Sequence, residues 1–188
     1  MATKTTLKKT KIKVQEDHEI RERIVQSRVR LLLKHPFFGN LATRLKIKNA
    51  DDWCPTAATD GIHLFYNREF ITPLSSDELD FLIGHEVLHC VFDHMERREG
   101  RDPQIWNMAT DYVINGTLIR EGLGKMPKEG LHDVKYYDKN SDEIYGELKK
   151  NAVEIKVTLD VHLDGEGQGN SKTGQGKEGK GGKGQMPP

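Results

Sequence analysis

Five consecutive residues, His85-Glu86-Val87-Leu88-His89, have the types and spacing for chemistry. On a helix of 3.6 residues per turn, positions 85 and 89 lie one turn apart and within roughly 40° of each other. Their imidazoles can therefore meet at one metal ion. Glu86 is turned by roughly 100° from His85, so its carboxylate reaches past the ion toward a water. Zinc held by three protein ligands and one water lowers the pKa of that water to about 7 and polarises a scissile carbonyl. Glu86 then takes the proton as general base and can return it to the leaving amine. The expected reaction is hydrolysis of a peptide bond in a peptide or protein substrate, with one zinc ion per chain. The alternative is a metal-binding interaction module without turnover, working with a separate partner chain.

Two histidines leave one protein ligand to find. Asp111 is the first candidate. Asn107, Asp111 and Asn115 are spaced by four and form one polar stripe on an otherwise apolar segment. An acid in the middle of a buried helix requires a cation or hydrogen-bond partners; backbone groups or an arginine would also satisfy it. Asn107 and Asn115 would then orient ligands. His94 is the rival ligand. Five residues beyond His89 on a continuous helix, it would point roughly 140° away, and no glycine between them breaks the helix. His132, Tyr136 and Tyr137 lie in a loop-like stretch that could supply an oxyanion donor. Cys90 reads as core. Glu96 and Glu99 read as solvated charges, and His162 as exposed.

The motif needs a rigid helix beneath it. Ser75 and Glu78 have the spacing of a capping box, with Asp77 and Asp80 in the first turn and Arg97 and Arg98 placed near the end to match the helix dipole. Leu79, Phe81, Leu82, Ile83, Val87, Leu88, Val91 and Phe92 surround that helix, as on a buried rod. A second buried helix starts at Asp102 as N-cap with Pro103 in first position. It passes Trp106, Met108, Val113, Ile114 and Leu118 and ends at Gly122 and Gly124. Upstream, Glu16–Lys34 has helical periodicity through Ile20, Ile24, Val25, Arg28, Leu31 and Leu32, stopped by Pro36. Leu41, Leu45 and Ile47 suggest a short turn and a strand. Asp60-Gly61 marks a turn before a strand over Ile62–Tyr66. A short helix is expected from Ser141 to Lys149-Lys150. After it, Val153, Ile155, Val157, Leu159, Val161 and Leu163 alternate with polar residues as in a half-buried strand.

Composition sets the outer limits. The 188 residues carry 29 Lys+Arg and 29 Asp+Glu, a formal net charge of +0, but the charge is unevenly spread. Residues 1–13 hold five lysines and no acid, and the 164–188 segment holds nine of the 18 glycines. The expected organisation is a basic flexible arm over 1–13, a folded domain over 14–163 that carries the acidic excess, and a Gly/Lys-rich disordered tail over 164–188. Five lysines could touch nucleic acid, although a solvated arm is the simpler reading. No apolar run approaches the ~20 residues of a bilayer span, and no secretory signal is evident. Two cysteines, Cys54 and Cys90, cannot build a disulfide framework. The cytoplasm is the expected compartment.

Several segments together make a more specific pattern than the five-residue motif. They are LLLKHPFFGNLATRLKI, ATDGIHLFYNREF, LSSDELDFLIGHEVLHCVFDHMERR, RDPQIWNMATDYVIN and DEIYGEL. The chain from about Arg28 to Leu148 resembles the metallopeptidase domain that precedes a von Willebrand factor A-like domain in bacterial and phage proteins. The resemblance puts His85, Glu86 and His89 at the family's HExxH positions and Asp111 in its A-x-D-x-x-I-N segment, here Ala109–Asn115. It implies a zincin-like α+β fold, a small sheet packed on the buried HExxH helix and a second buried helix. In such folds the strand before the metal helix offers an edge to an extended substrate, a part Ile62–Tyr66 would play here. The sequence stops at Pro188 inside a glycine-rich stretch, so a von Willebrand factor A-like partner is expected in another chain. A phage or bacterial origin, hence the host cytoplasm if phage-encoded, fits this reading.

Overall fold

A computed structural model describes residues 16–164, with side chains to Ala152. The lysine-rich arm over 1–13, the glycine-rich stretch from Gly165, and the side chain of His162 lie outside the described residues. The chain divides into two units after Lys150; the fold described here is that of the first. It is an α+β arrangement of six helices and a three-stranded sheet among the described residues.

Helix α1 (Asp17–Lys34) buries Ile20, Ile24 and Leu31. Val25 and Leu32, each about 100° off that face, are exposed. Pro36 ends α1 and also opens a second helix, α2 (Pro36–Arg44), where the sequence suggested only a turn. Proline is favoured in the first helical turn because its missing N–H would have no partner there. The close crossing of α1 and α2 requires Gly39, since a Cβ at this position would stand 2.3 Å from the backbone nitrogen of Leu32.

The sheet consists of β1 (Lys46–Asn49), β2 (Ala57–Thr59) and β3 (His63–Tyr66), in the order β1-β3-β2. β3 pairs parallel with β1 and antiparallel with β2. The expectation that Ile62–Tyr66 offers an edge is therefore corrected: β3 is the central strand, with both sides already bonded. The edge beside the helix that carries the HExxH motif is β2, which packs on that helix. β2 is only three residues long and lacks a hydrophobic alternation, so periodicity does not reveal it. After β3, Asn67 caps a short α3 (Arg68–Ile71).

Helix α4 (Ser76–Val91) carries the motif. Its capping box is formed: Ser75 Oγ accepts from the Glu78 amide, and the Glu78 carboxylate accepts from the Ser75 amide at 2.9 Å. Asp80 is buried, and it accepts from Ser27 Oγ at 2.5 Å and from the Arg30 guanidinium at 2.7–3.1 Å. These bonds pin α4 to α1.

α4 ends at Val91, earlier than Arg97 and Arg98 suggested. Asp93 takes a left-handed φ of 54°. The Asp93 amide bonds the Cys90 carbonyl, and the His94 amide bonds the His89 carbonyl at 3.1 Å. This is the Schellman pattern of helix ends, usually built on glycine. Aspartate tolerates the left-handed region better than most residues, so the lack of glycine did not prevent the break. Arg97 still donates from Nη1 to the carbonyl of Phe92, the C-cap residue of α4, at 3.3 Å, and together with Arg101 it pairs with Asp142.

Helix α5 (Pro103–Arg120) starts at the expected cap, with Asp102 Oδ1 accepting from the Gln104 and Ile105 amides. It ends on a second Schellman pattern, with Gly122 at φ 62°. Helices α1, α2, α4 and α5 enclose one core that includes Ile24, Leu31, Leu64, Ile83, Val87 and Leu118. Helix α6 (Ser141–Asp164) replaces the short helix and the expected strand over Val153–Leu163. Asn140 and Glu143 cap its start reciprocally. Neither proline nor glycine interrupts it between Gly146 and Gly165. Among the described residues no helix is long and apolar enough to cross a membrane.

Candidate metal centre

Helices α4 and α5 pack against each other and bring His85, His89 and Asp111 together at the wall of a cleft of about 1060 Å³. The two Nε2 atoms stand 3.0 Å apart, and each lies 3.4 Å from Asp111 Oδ1. Ligand atoms about 2.0–2.1 Å from a tetrahedral zinc stand roughly 3.3–3.4 Å from one another. The observed triangle is close to that size.

Hydrogen bonds around the triangle decide what its corners present. Asn115 donates from Nδ2 to the Leu131 carbonyl at 2.9 Å, which turns its Oδ1 toward His85 Nδ1, also at 2.9 Å. An amide oxygen only accepts, so His85 Nδ1 carries the proton and its Nε2 presents a lone pair. Asn107 Nδ2 donates to Asp111 Oδ2 at 3.2 Å. Asp111 Oδ1 is left buried without a hydrogen-bond partner. Its 3.4 Å separations from the imidazoles permit ionic attraction without hydrogen-bond geometry. A buried acceptor left alone costs about 1–3 kcal/mol or more when charged. A lone pair and a partnerless carboxylate oxygen facing one point are a donor set that fits a cation.

Electrostatics follow from the same packing. Burial pushes the Asp111 carboxyl up, but the neighbouring imidazoles of His85 and His89 outweigh it and hold it at about 2. Burial opposes protonation of His85, yet Asp111 and Glu86 raise its pKa on balance. Glu86 is 5% exposed. Burial raises its pKa above the usual carboxylate range, opposed by His85 and His89 and assisted by Asp111. It lines the same cleft. A carboxyl with raised basicity, beside a metal-sized triangle, has the properties of a proton acceptor.

His94 is not on the far side of α4. The left-handed turn at Asp93 swings it back, so its Nδ1 lies 3.3 Å from His89 Nδ1. It is 3% exposed, and its pKa is lowered to about 3, chiefly by burial and then by His89 and Arg97. It stands behind His89 and is not a corner of the triangle. The possible oxyanion donors are not gathered in the cleft. His132 bonds the Tyr137 hydroxyl, and Tyr136 packs with Ala109 and Ile144. Cys90 is partly buried, with Sγ 3.4 Å from Thr59 Oγ1.

Sequence reasoning did not foresee the rest of the cleft. β2 and the preceding Thr56 form one wall, and Phe70, Phe81, Leu82, Met126 and Leu131 line the cleft with apolar side chains. These residues come from four separate segments, and none carries a local signal of a binding role.

No curated protein and no solved structure matches the chain. The family model described as "Putative metallopeptidase domain" matches residues 19–188 and so takes in both helices of the triangle. With the match covering nearly the whole chain, the protein belongs to this metallopeptidase-domain family.

Proposed function

We propose that the chain is a zinc-dependent peptidase of zincin-like fold, with His85, His89 and Asp111 as metal ligands and Glu86 as general base. The observation that carries this reading is the meeting of two imidazole Nε2 atoms with a buried, partnerless carboxylate oxygen, next to a second buried carboxylate. Zinc bound by three such ligands supplies an acidified water and polarises a carbonyl.

The chain's own residues do the remaining work. Glu86 accepts the proton of the attacking water and passes it to the leaving amine, and burial strengthens its basicity for the first of these steps. Asn115 holds the His85 ring by its Nδ1–H. Asn107 holds Asp111 by Oδ2. β2 is an edge strand on the cleft wall, so an extended peptide can add to it by main-chain hydrogen bonds. Phe70, Leu82 and Met126 offer apolar contact to a substrate side chain. The substrate class is an extended peptide or an unfolded protein segment.

The test is a proteome-derived peptide library incubated with the zinc-loaded full chain and with its Glu86→Gln variant. The wild type should cleave, and the variant should keep its zinc and lose about 10²–10⁴-fold in rate. Equal, background-level products from both would remove the peptidase reading and leave a metal-binding module.

A further inference from the structure

The side chain behind His89 is another imidazole, where an orienting carboxylate or carbonyl is the common partner of a ligating histidine. His94 Nδ1 lies 3.3 Å from His89 Nδ1, and His94 Nε2 lies 3.1 Å from Ser141 Oγ. Both His94 and Ser141 are almost fully buried, at 3% and 2% exposure. The position of His94 is fixed on three further sides. Its amide closes the Schellman turn on the His89 carbonyl, its carbonyl accepts from Trp106 Nε1 at 2.8 Å, and its ring meets the Trp106 ring edge-on.

Two tautomer patterns are compatible with these distances. In one, protons run outward from the cleft: His89 Nδ1–H donates to His94 Nδ1, and His94 Nε2–H donates to Ser141 Oγ. In the other they run inward: the Ser141 hydroxyl donates to His94 Nε2, His94 Nδ1–H donates to His89 Nδ1, and His89 Nε2–H points at His85 Nε2. Only the outward pattern leaves the His89 Nε2 lone pair facing Asp111 Oδ1.

We propose that His94 is a positioning residue for the metal centre: held by Ser141 as its Nε2–H tautomer, it accepts the His89 Nδ1 proton and so commits His89 Nε2 to the metal. This inference rests on the metal reading above and deepens it. It assigns the first residue of α6 a part in the site, although Ser141 lies far from the HExxH motif in sequence and does not line the cleft. Asn115 and His94 then do the same job for the two ligand histidines, one with an amide oxygen and one with a ring nitrogen.

The test uses the full chain with zinc alone, and no catalytic readout is needed. Zinc affinity is measured by competition with a chelator for wild type, His94→Phe, His94→Asn and Ser141→Ala. His94→Phe keeps a buried ring but removes the acceptor, and should weaken zinc about 10–100-fold, the usual cost of losing an outer partner of a ligand. His94→Asn places an amide oxygen near the former Nδ1 and should recover most of that loss. Ser141→Ala should give an intermediate loss. Melting of the metal-free variants separates misfolding from site effects, and if His94→Phe does not fold, the asparagine and serine variants decide. Long-range ¹⁵N–¹H spectra of the zinc-loaded chain should show His94 protonated at Nε2. Wild-type affinity in His94→Phe, or a proton on His94 Nδ1 in the loaded chain, overturns the proposal while leaving the metal reading intact. A wild type that takes up no zinc overturns both.

Discussion

Replacing Arg30 with methionine tests how the HExxH helix is anchored. Asp80 lies in α4, five residues before His85, and its side chain is only 6% exposed. The Arg30 guanidinium meets both Asp80 oxygens, with Nη2 at 2.7 Å and Nε at 3.0–3.1 Å, and Ser27 Oγ adds a third partner at 2.5 Å. Breaking a fully buried pair by removing one partner costs about 3–5 kcal/mol, because the other charge stays buried and unmatched. Arg30 itself is 27% exposed, so water can reach part of the vacated space, and Ser27 remains. The expected loss is therefore about 2–3 kcal/mol, a large share of the 5–15 kcal/mol typical of a domain. For a body of this size that corresponds to a fall in Tm of about 5–10 °C. Urea denaturation of the full chain should show a lower midpoint at unchanged slope. The double variant Arg30→Met with Asp80→Leu should recover most of the loss, since an apolar pair in place of a buried ion pair is often neutral. A loss under about 0.5 kcal/mol in Arg30→Met, or strict additivity in the cycle, would refute the argument that this pair fixes α4 on α1.

Two further outcomes follow from single residues. Asp93→Gly should hold or raise stability, because glycine takes the left-handed conformation at no steric cost, whereas Asp93→Val should lower it by about 1–2 kcal/mol; equal melting temperatures for the two would contradict the Schellman assignment. Asp60 accepts from the amides of Ile62 and His63 and pairs with the His63 ring. Burial pushes its carboxyl up, but these bonds prevail and lower its pKa from 3.8 to about 2. Because the folded pKa is the lower one, the stabilisation is complete above about pH 4 and is lost as pH falls through about 2. Asp60→Asn should remove that acid-side dependence, and an unchanged acid midpoint would count against it.

The two central helices and their caps follow from the sequence because their signals are local. Ser75 with Glu78, and Asp102 with Pro103, each specify a helix start within four residues; the apolar circumference pointed to two buried rods, although Val91 on α4 and Met108 on α5 are exposed. The Asp111 stripe was readable for the same reason: an acid every fourth residue from amides has no place on a buried helix without partners. What escaped was set by the left-handed region and by tertiary contact. Asp93 holds a conformation that its type permits but does not advertise, and with it went the position of His94. β2 is a strand only because β3 pairs with it, so no three-residue pattern could announce it. The alternation over Val153–Leu163 pointed to a strand, but the cap at Asn140 starts a helix that nothing in the sequence interrupts before Gly165.

His85, His89 and Asp111 are proposed to hold one metal ion together. The most direct measurement is the zinc content of the purified full chain after zinc loading and removal of excess, for wild type, His85→Ala and Asp111→Ala. One zinc per chain is expected in the wild type and none retained in either variant, with all three still folded. A full equivalent of zinc in Asp111→Ala, or none in the wild type, would contradict it.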